Sequence, residues 1–297
     1  MSFRQITIVG TGLIGGSFAL AARKHGFPGT IIGCDREGVL AEAKSRGAVD
    51  RGLRDPVEAC QGSDLILLAT PVGAILELLP KLAPHLSPGA LVTDVGSTKA
   101  EIVRGASRAF GKEAAARFLA GHPMAGKENS GIEYADPELF HGAVWFLTPV
   151  DGQNLETGKL ALLAALLENL GARISVLDPA QHDELCAWIS HLPQMISTAL
   201  AATLVEEFGG NAPLLETGGR ALREMTRIAA SPYSMWRDIA LTNRQPIAEA
   251  LVKLEQELAH IRENLGTREL EAEFERAHQL RNSPASTGPN ENPAKKK

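Results

Sequence analysis

Six residues near the start of the chain, Gly10-Thr11-Gly12-Leu13-Ile14-Gly15, carry the spacing G-x-G-x-x-G directly after the apolar run Ile6–Val9. A helical pattern over Ser17 to His25 follows, closed by Gly26 at a C′ position. In that setting Gly10 permits a tight turn, Gly12 lets the backbone approach a pyrophosphate, and Gly15 lets helix and strand pack closely. The helix start then offers N–H donors to phosphate oxygens. Asp35 closes the second apolar run, Thr30–Cys34, where a carboxylate accepts from both ribose hydroxyls and repels a 2′-phosphate, so NAD is expected over NADP. Arg36 follows and suits either a 2′-phosphate or the face of an adenine. Thr70, ahead of Pro71, either lines the dinucleotide or simply ends its strand. The glycines alone leave open another nucleotide, such as the adenosine of a methyl donor.

A second group could carry proton chemistry. Asp94-Val95-Gly96-Ser97-Thr98-Lys99 follows the run Leu91–Val95, and Gly121-His122-Pro123-Met124-Ala125-Gly126 follows Arg117–Ala120. Open α/β sheets hold ligands beyond the carboxyl ends of their strands, so both loops are expected to face the nicotinamide. An imidazole with an ordinary pKa of ~6.5 suits a general base for a substrate hydroxyl, and Ser97 could hold the His122 ring. A capping role is the simpler alternative for a lone loop histidine.

These groups need a scaffold. Strand-like runs at Ile6–Val9, Thr30–Cys34, Leu65–Thr70, Leu91–Val95, Arg117–Ala120, Val144–Thr148 and Arg173–Leu177 alternate with helical patterns. That alternation predicts an α/β fold, a Rossmann-type doubly wound, mostly parallel sheet over residues 1–177. From Asp178-Pro179 onward the pattern is helical, giving an all-α region over 178–282. There Ile247, Leu251, Leu254, Leu258, Ile261 and Leu265 form an a/d seam, which predicts an inter-subunit helical interface and a homodimer, with packing inside one chain as the alternative. Residues 283–297 hold three prolines and no large apolar residue, so they read as a disordered tail.

Composition narrows the class. The 297 residues are 44% hydrophobic and 22% charged, and 30 basic against 35 acidic residues leave a net charge of −5, which gives no reason to expect nucleic acid. The most apolar stretch, Leu65–Leu76, is broken by Pro71 and falls short of the ~18 residues of a membrane span. Cys34, Cys60 and Cys186 form no C-x-x-C pair, and with no leader pattern at Met1 a cytoplasmic location is expected. His182 and Cys186 share metal-ligand spacing, but no further ligand lies nearby in sequence, so no metal is expected. Trp188 and Trp236 read as core or interface anchors.

The motifs Gly96-Ser97-Thr98-Lys99, His122-Pro123-Met124-Ala125-Gly126, Ser190-His191-Leu192-Pro193 and Met235-Trp236-Arg237-Asp238 together resemble the prephenate/arogenate dehydrogenase family. The resemblance runs from Ile6 to about Arg281. It implies an NAD(P)-dependent oxidative decarboxylation of a cyclohexadienol in tyrosine synthesis, on a Rossmann-type domain joined to a helical dimerisation domain. It further implies that His122 bonds the ring hydroxyl, Ser97 supports it and Arg237 holds the ring carboxylate. The SHLP segment departs from the pattern: Gln194 stands where many prephenate-using relatives carry a second histidine. Gln194, His191 and Lys127 are therefore the candidates for the substrate side chain, and an amide can meet a keto oxygen, a carboxylate or an ammonium. Prephenate is the expected substrate and arogenate the alternative. A β-hydroxyacid dehydrogenase or a non-catalytic NAD-binding sensor are further alternatives; the former lacks its lysine after Asp178 until Lys253.

Overall fold

The continuous Val/Ile/Leu runs become strands covered on both faces. A computed structural model describes residues 3–126, 129–209 and 213–282; Lys127 and the proposed tail 283–297 lie outside the described residues. Eight strands, β1 (Gln5–Val9), β2 (Thr30–Cys34), β3 (Arg51–Leu53), β4 (Leu65–Leu68), β5 (Leu91–Asp94), β6 (Phe118–Pro123), β7 (Val144–Thr148) and β8 (Arg173–Val176), form one sheet. Their order is β3-β2-β1-β4-β5-β6-β7-β8. Strands β1 to β6 are parallel, β7 runs antiparallel to β6, and β8 is parallel to β7. The order reverses between β1 and β4, so the ends of these two strands diverge into a crevice where an open sheet takes its ligand.

Alternation along the strands builds two cores. Leu65 and Leu67 join Ile6, Ile8, Phe18 and Trp145 on one face, while Ile66 and Leu68 join Val9, Ile75, Leu79 and Phe118 on the other.

Three sequence readings change. The edge strand β3 was not expected, because Arg51-Gly52-Leu53 is short, largely exposed and has a central glycine. The strands β4 and β5 end earlier than their apolar runs, at Leu68 and Asp94. Strand β6 instead extends to Pro123, so His122 is a strand residue rather than a loop residue, registered against Phe146 of β7. Its Gly and Pro neighbours read locally as a turn, but antiparallel pairing overrides that preference.

The described residues up to Ile247 pack as one compact unit and those from Ala248 to Asn282 as another. The first holds the sheet and the helices from Pro179 to Thr242; after Val176 no strand occurs among the described residues. In the second, His260 Nε2 lies 3.4 Å from Glu273 Oε1, and Arg276 bonds the same carboxylate. Leu258 and Leu265 of the seam remain 55% and 68% exposed. No helix among the described residues is long and apolar enough to cross a membrane.

Candidate active site

The turn after β1 meets the physical requirements of a dinucleotide loop. Gly10 has φ of 95°, and a Cβ there would stand 2.4 Å from the Ala69 carbonyl oxygen at the end of β4. A Cβ on Gly15 would stand 2.0 Å from Gly10 O, so the helix Leu13–Lys24 approaches the turn only because both residues lack side chains. Gly12 faces open space and caps that helix without a side-chain bond, leaving its first N–H groups for an anion. Asp35 Oδ2 accepts from Thr11 N at 2.8 Å and Oδ1 from Arg36 N at 2.7 Å, which fixes the carboxylate beside the loop with lone pairs to spare for ribose hydroxyls. Thr70 Oγ1 is buried without a hydrogen-bond partner. An open helix start, an anchored carboxylate and an orphan hydroxyl together fit NAD.

Leu13, Ile14, Arg36 and Thr70 line a cleft of about 770 Å³ whose other walls include Ser97, His122, Ser190 and Ser234, a volume suited to a cofactor and a small substrate. His122 is 7% exposed. Its Nδ1 lies 2.9 Å from His182 Nε2, and His182 Nδ1 lies 2.9 Å from Asp183 Oδ1. The ring is thus held from behind by His182, not by Ser97 as expected, and Nε2 is the nitrogen left for the cleft. Burial first, then His182, Lys99 and His191, hold the His122 imidazole well below its ordinary pKa of 6.5, so it is neutral near pH 7.

Cys186 Sγ is 3.4 Å from His182 Nε2 and 3.9 Å from His122 Nδ1. His122 thereby supplies the third close donor atom that sequence proximity could not show, and the three lie within 4.8 Å of one another. Burial pushes the Cys186 thiol up to about 12, and the two histidines are satisfied by hydrogen bonding to each other and to Asp183.

Two carboxylates from the C-terminal helices organise the helices that start at the cleft. The helix Ala100–Phe110 has no side-chain cap of its own; Asp183 supplies one, taking Lys99 N at 2.7 Å and Ala100 N at 2.9 Å. The helix Val72–Leu82 also lacks its own cap, and Asp238 Oδ2 takes Gly73 N at 2.9 Å. Each such contact is worth about 1 kcal/mol, with a further gain from the helix dipole.

The substrate candidates divide. Arg237 is 56% exposed at its side chain, lies outside the cleft lining, and pairs with Asp238 Oδ1 at 3.0 Å. Gln194 is also not a cleft residue: it is buried and donates from Nε2 to Ile228 O at 2.9 Å and Thr198 Oγ1 at 3.2 Å. His191 is buried against the Trp236 ring and accepts from Asn243 Nδ2 at 3.1 Å; burial pulls it down to about 4. Ser190, its neighbour, does reach the cleft because residues Ala187–His191 form a π-helical turn, a distortion common at functional sites. Sequence reading missed Asp183, Ser190 and Ser234 and weighed His182 only as a metal ligand. The adjacent His182-Asp183 pair just inside a capped helix start was the available signal.

Comparison with known proteins agrees with this geometry. Residues 18–176 match the family "Prephenate dehydrogenase, nucleotide-binding domain" and residues 178–279 match "Prephenate dehydrogenase, dimerization domain". The chain is 36% identical over 276 residues to a prephenate dehydrogenase of Lactococcus lactis subsp. cremoris, covering 91% of this chain and 73% of the relative. It superposes with a TM-score of 0.84 on the prephenate dehydrogenase from A. aeolicus in complex with hydroxyphenyl propionate and NAD+, at 33% identity, covering 95% and 98% of the two chains. With Synechocystis arogenate dehydrogenase the TM-score is 0.73 at 34% identity, covering 94% and 97%. Matched through both its sheet and its helical part, the chain belongs to the prephenate dehydrogenase family.

Proposed function

We infer that the chain is an NAD-dependent prephenate dehydrogenase, converting prephenate to 4-hydroxyphenylpyruvate with release of CO2 and formation of NADH, in tyrosine biosynthesis. The observation that carries the reading is His122: a buried, neutral imidazole tethered through Nδ1, in the same cleft as Leu13 and Ile14 of the glycine-loop helix, with Asp35 anchored on the loop at Thr11 N. Residues 10–15, Asp35 and Thr70 would hold NAD, which would supply the hydride acceptor. His122 Nε2 takes the proton of the ring hydroxyl as that carbon is oxidised. Loss of CO2 drives the ring to aromaticity, and His122 returns the proton to the phenolic oxygen. Ser97 lines the cleft and is assigned to the substrate hydroxyl, since the Nδ1 side of His122 is taken. Arg237 is assigned to the ring carboxylate, one helical turn beyond the cleft residue Ser234; it keeps Asp238 as its partner and offers its remaining N–H groups.

No carboxylate lines the cleft among the described residues, so an ammonium such as that of arogenate would meet only neutral acceptors there. That supports the keto acid prephenate. Residues 1–177 are assigned to nucleotide binding and 178–282 to substrate binding and homodimer formation, consistent with the open Leu258 and Leu265 face. The three cysteines are free and buried, as suits the cytoplasm.

Incubation with NAD or NADP and either prephenate or arogenate, following reduced cofactor and identifying the product, tests the reading. Prephenate with NAD should yield 4-hydroxyphenylpyruvate. Turnover of arogenate alone, to tyrosine, would reassign the substrate, and silence in all four mixtures would overturn the enzyme.

A further inference from the structure

We propose that Asp183 and His182 are positioning residues that dictate which nitrogen of His122 carries its proton. The proposal rests on the reading of His122 as the base. Its origin is the start of the helix Ala100–Phe110. Asp183 Oδ1 accepts Lys99 N at 2.7 Å and Oδ2 accepts Ala100 N at 2.9 Å. An oxygen that already faces an N–H carries no proton of its own in that direction, so the carboxylate can only accept from a further partner.

That partner is His182, whose Nδ1 lies 2.9 Å from Oδ1 and must therefore donate. A neutral His182 with its proton on Nδ1 has its lone pair on Nε2, which lies 2.9 Å from His122 Nδ1. Two lone pairs cannot face each other at this distance, so His122 holds its proton on Nδ1. Its Nε2 is then bare, the form a general base requires. The other tautomer would present an N–H to the substrate hydroxyl and could not take its proton.

The surroundings keep the chain in this state. Burial holds His182 below its ordinary pKa, opposed by the Asp183 hydrogen bond, so the ring is neutral at rest. Lys99, His191, Asp94 and Cys186 complete the charged and titratable neighbours of the two rings. Cys186 stays a thiol, and its S–H can donate to His182 Nε2 at 3.4 Å, compatible with the acceptor role of that nitrogen. In the reacting complex one O–H bond breaks at the substrate and one N–H bond forms at His122 Nε2. The resulting imidazolium donates through Nδ1 to His182, with the Asp183 carboxylate behind it. The link joins a strand residue to a helix residue 60 positions away, and only the fold brings them together.

The test compares His182→Leu, His182→Gln and the control His122→Asn by kcat, KM and pH profile, alongside the long-range 15N spectrum of the imidazoles in the unaltered protein. His182→Leu is expected to lower kcat on the order of 100-fold with little change in KM. His182→Gln, whose amide oxygen can accept from His122 Nδ1, should recover about tenfold of that loss. The unaltered protein should show Nε2 of His122 unprotonated at neutral pH. If His182→Leu retains the unaltered kcat and pH profile while His122→Asn is inactive, the positioning role is wrong and the base assignment stands. Full activity in His122→Asn would remove the base and this proposal with it. A protonated Nε2 in the unaltered protein overturns the proposal whatever the variants do, including any that fail to fold.

Discussion

Lys99 and Asp94 form an ion pair in which both side chains are 0% exposed, at the point where β5 ends and the cleft begins. Burial pushes Asp94 up and Lys99 down, and their mutual attraction opposes both shifts. The pair is tied into the backbone of β6, where Lys99 Nζ donates to Gly121 O at 2.8 Å and Asp94 accepts from Gly121 N at 3.2 Å, and into the turn after β5, where Asp94 accepts from Gly96 N at 2.8 Å. Gly121 immediately precedes His122, so the ion pair anchors the backbone next to the imidazole.

Removing one member leaves the other charge buried alone. Lys99→Met should cost about 3–5 kcal/mol of unfolding free energy, measured by urea denaturation. A loss below about 1 kcal/mol would show that the pair is hydrated rather than dry. The positive charge of Lys99 also helps depress the His122 pKa, so any residual activity of this variant should have its acid limb moved upward.

The pH dependence of kcat/KM follows from the sign of the His122 shift. The base works when neutral, and its pKa lies well below 6.5. Activity governed by His122 should therefore persist as pH falls through 6.5 and decline only when the pH reaches the depressed value. An acid limb centred at or above 6.5 would mean that the histidine is solvated in the working enzyme.

Cofactor choice is expected to turn on one carboxylate. Asp35→Ser removes the charge that repels a 2′-phosphate and leaves Arg36 on the cleft wall. The preference for NAD over NADP, measured as a ratio of kcat/KM values, should fall on the order of tenfold, equivalent to about 1.4 kcal/mol. An unchanged ratio would place the ribose elsewhere.

Asp238 has two partners whose losses separate. Asp238→Ala removes the cap on Gly73 N and the anion beside Arg237. Stability should drop by about 1–2 kcal/mol, while the guanidinium becomes free for a substrate carboxylate, so KM for prephenate should fall or stay level. A rise in KM without loss of stability would mean that Asp238 aims Arg237 at the substrate.

The proposed cofactor site was the most legible part of the chain, because each of its requirements is local. A glycine turn after an apolar strand, a helix start and an acidic residue at the end of the next strand lie within residues 6–35, and the structure assembles them with Thr11 N on Asp35. The proton chemistry was half legible. His122 could be picked by residue type, but its place in β6 depends on pairing with β7, and Ser97 was assigned a contact that His182 makes. Gln194 was the clearest departure. Its position in a motif suggested a substrate contact, whereas its amide ties the helix Leu192–Phe208 to the turn at Ile228.

By itself the amino-acid sequence determined the layer architecture and singled out the glycine turn and His122 as candidates. Apolar periodicity, glycine conformational freedom and residue chemistry all act within a few positions along the chain. Only the tertiary structure decided what stands behind that imidazole and which side chains face the cleft. The hydrogen bonds from Lys99 N to Asp183 and from Gly73 N to Asp238 span 84 and 165 positions. Partners at such separations are chosen by how the helices dock on the carboxyl ends of the strands, and each buried donor or acceptor must find its match there.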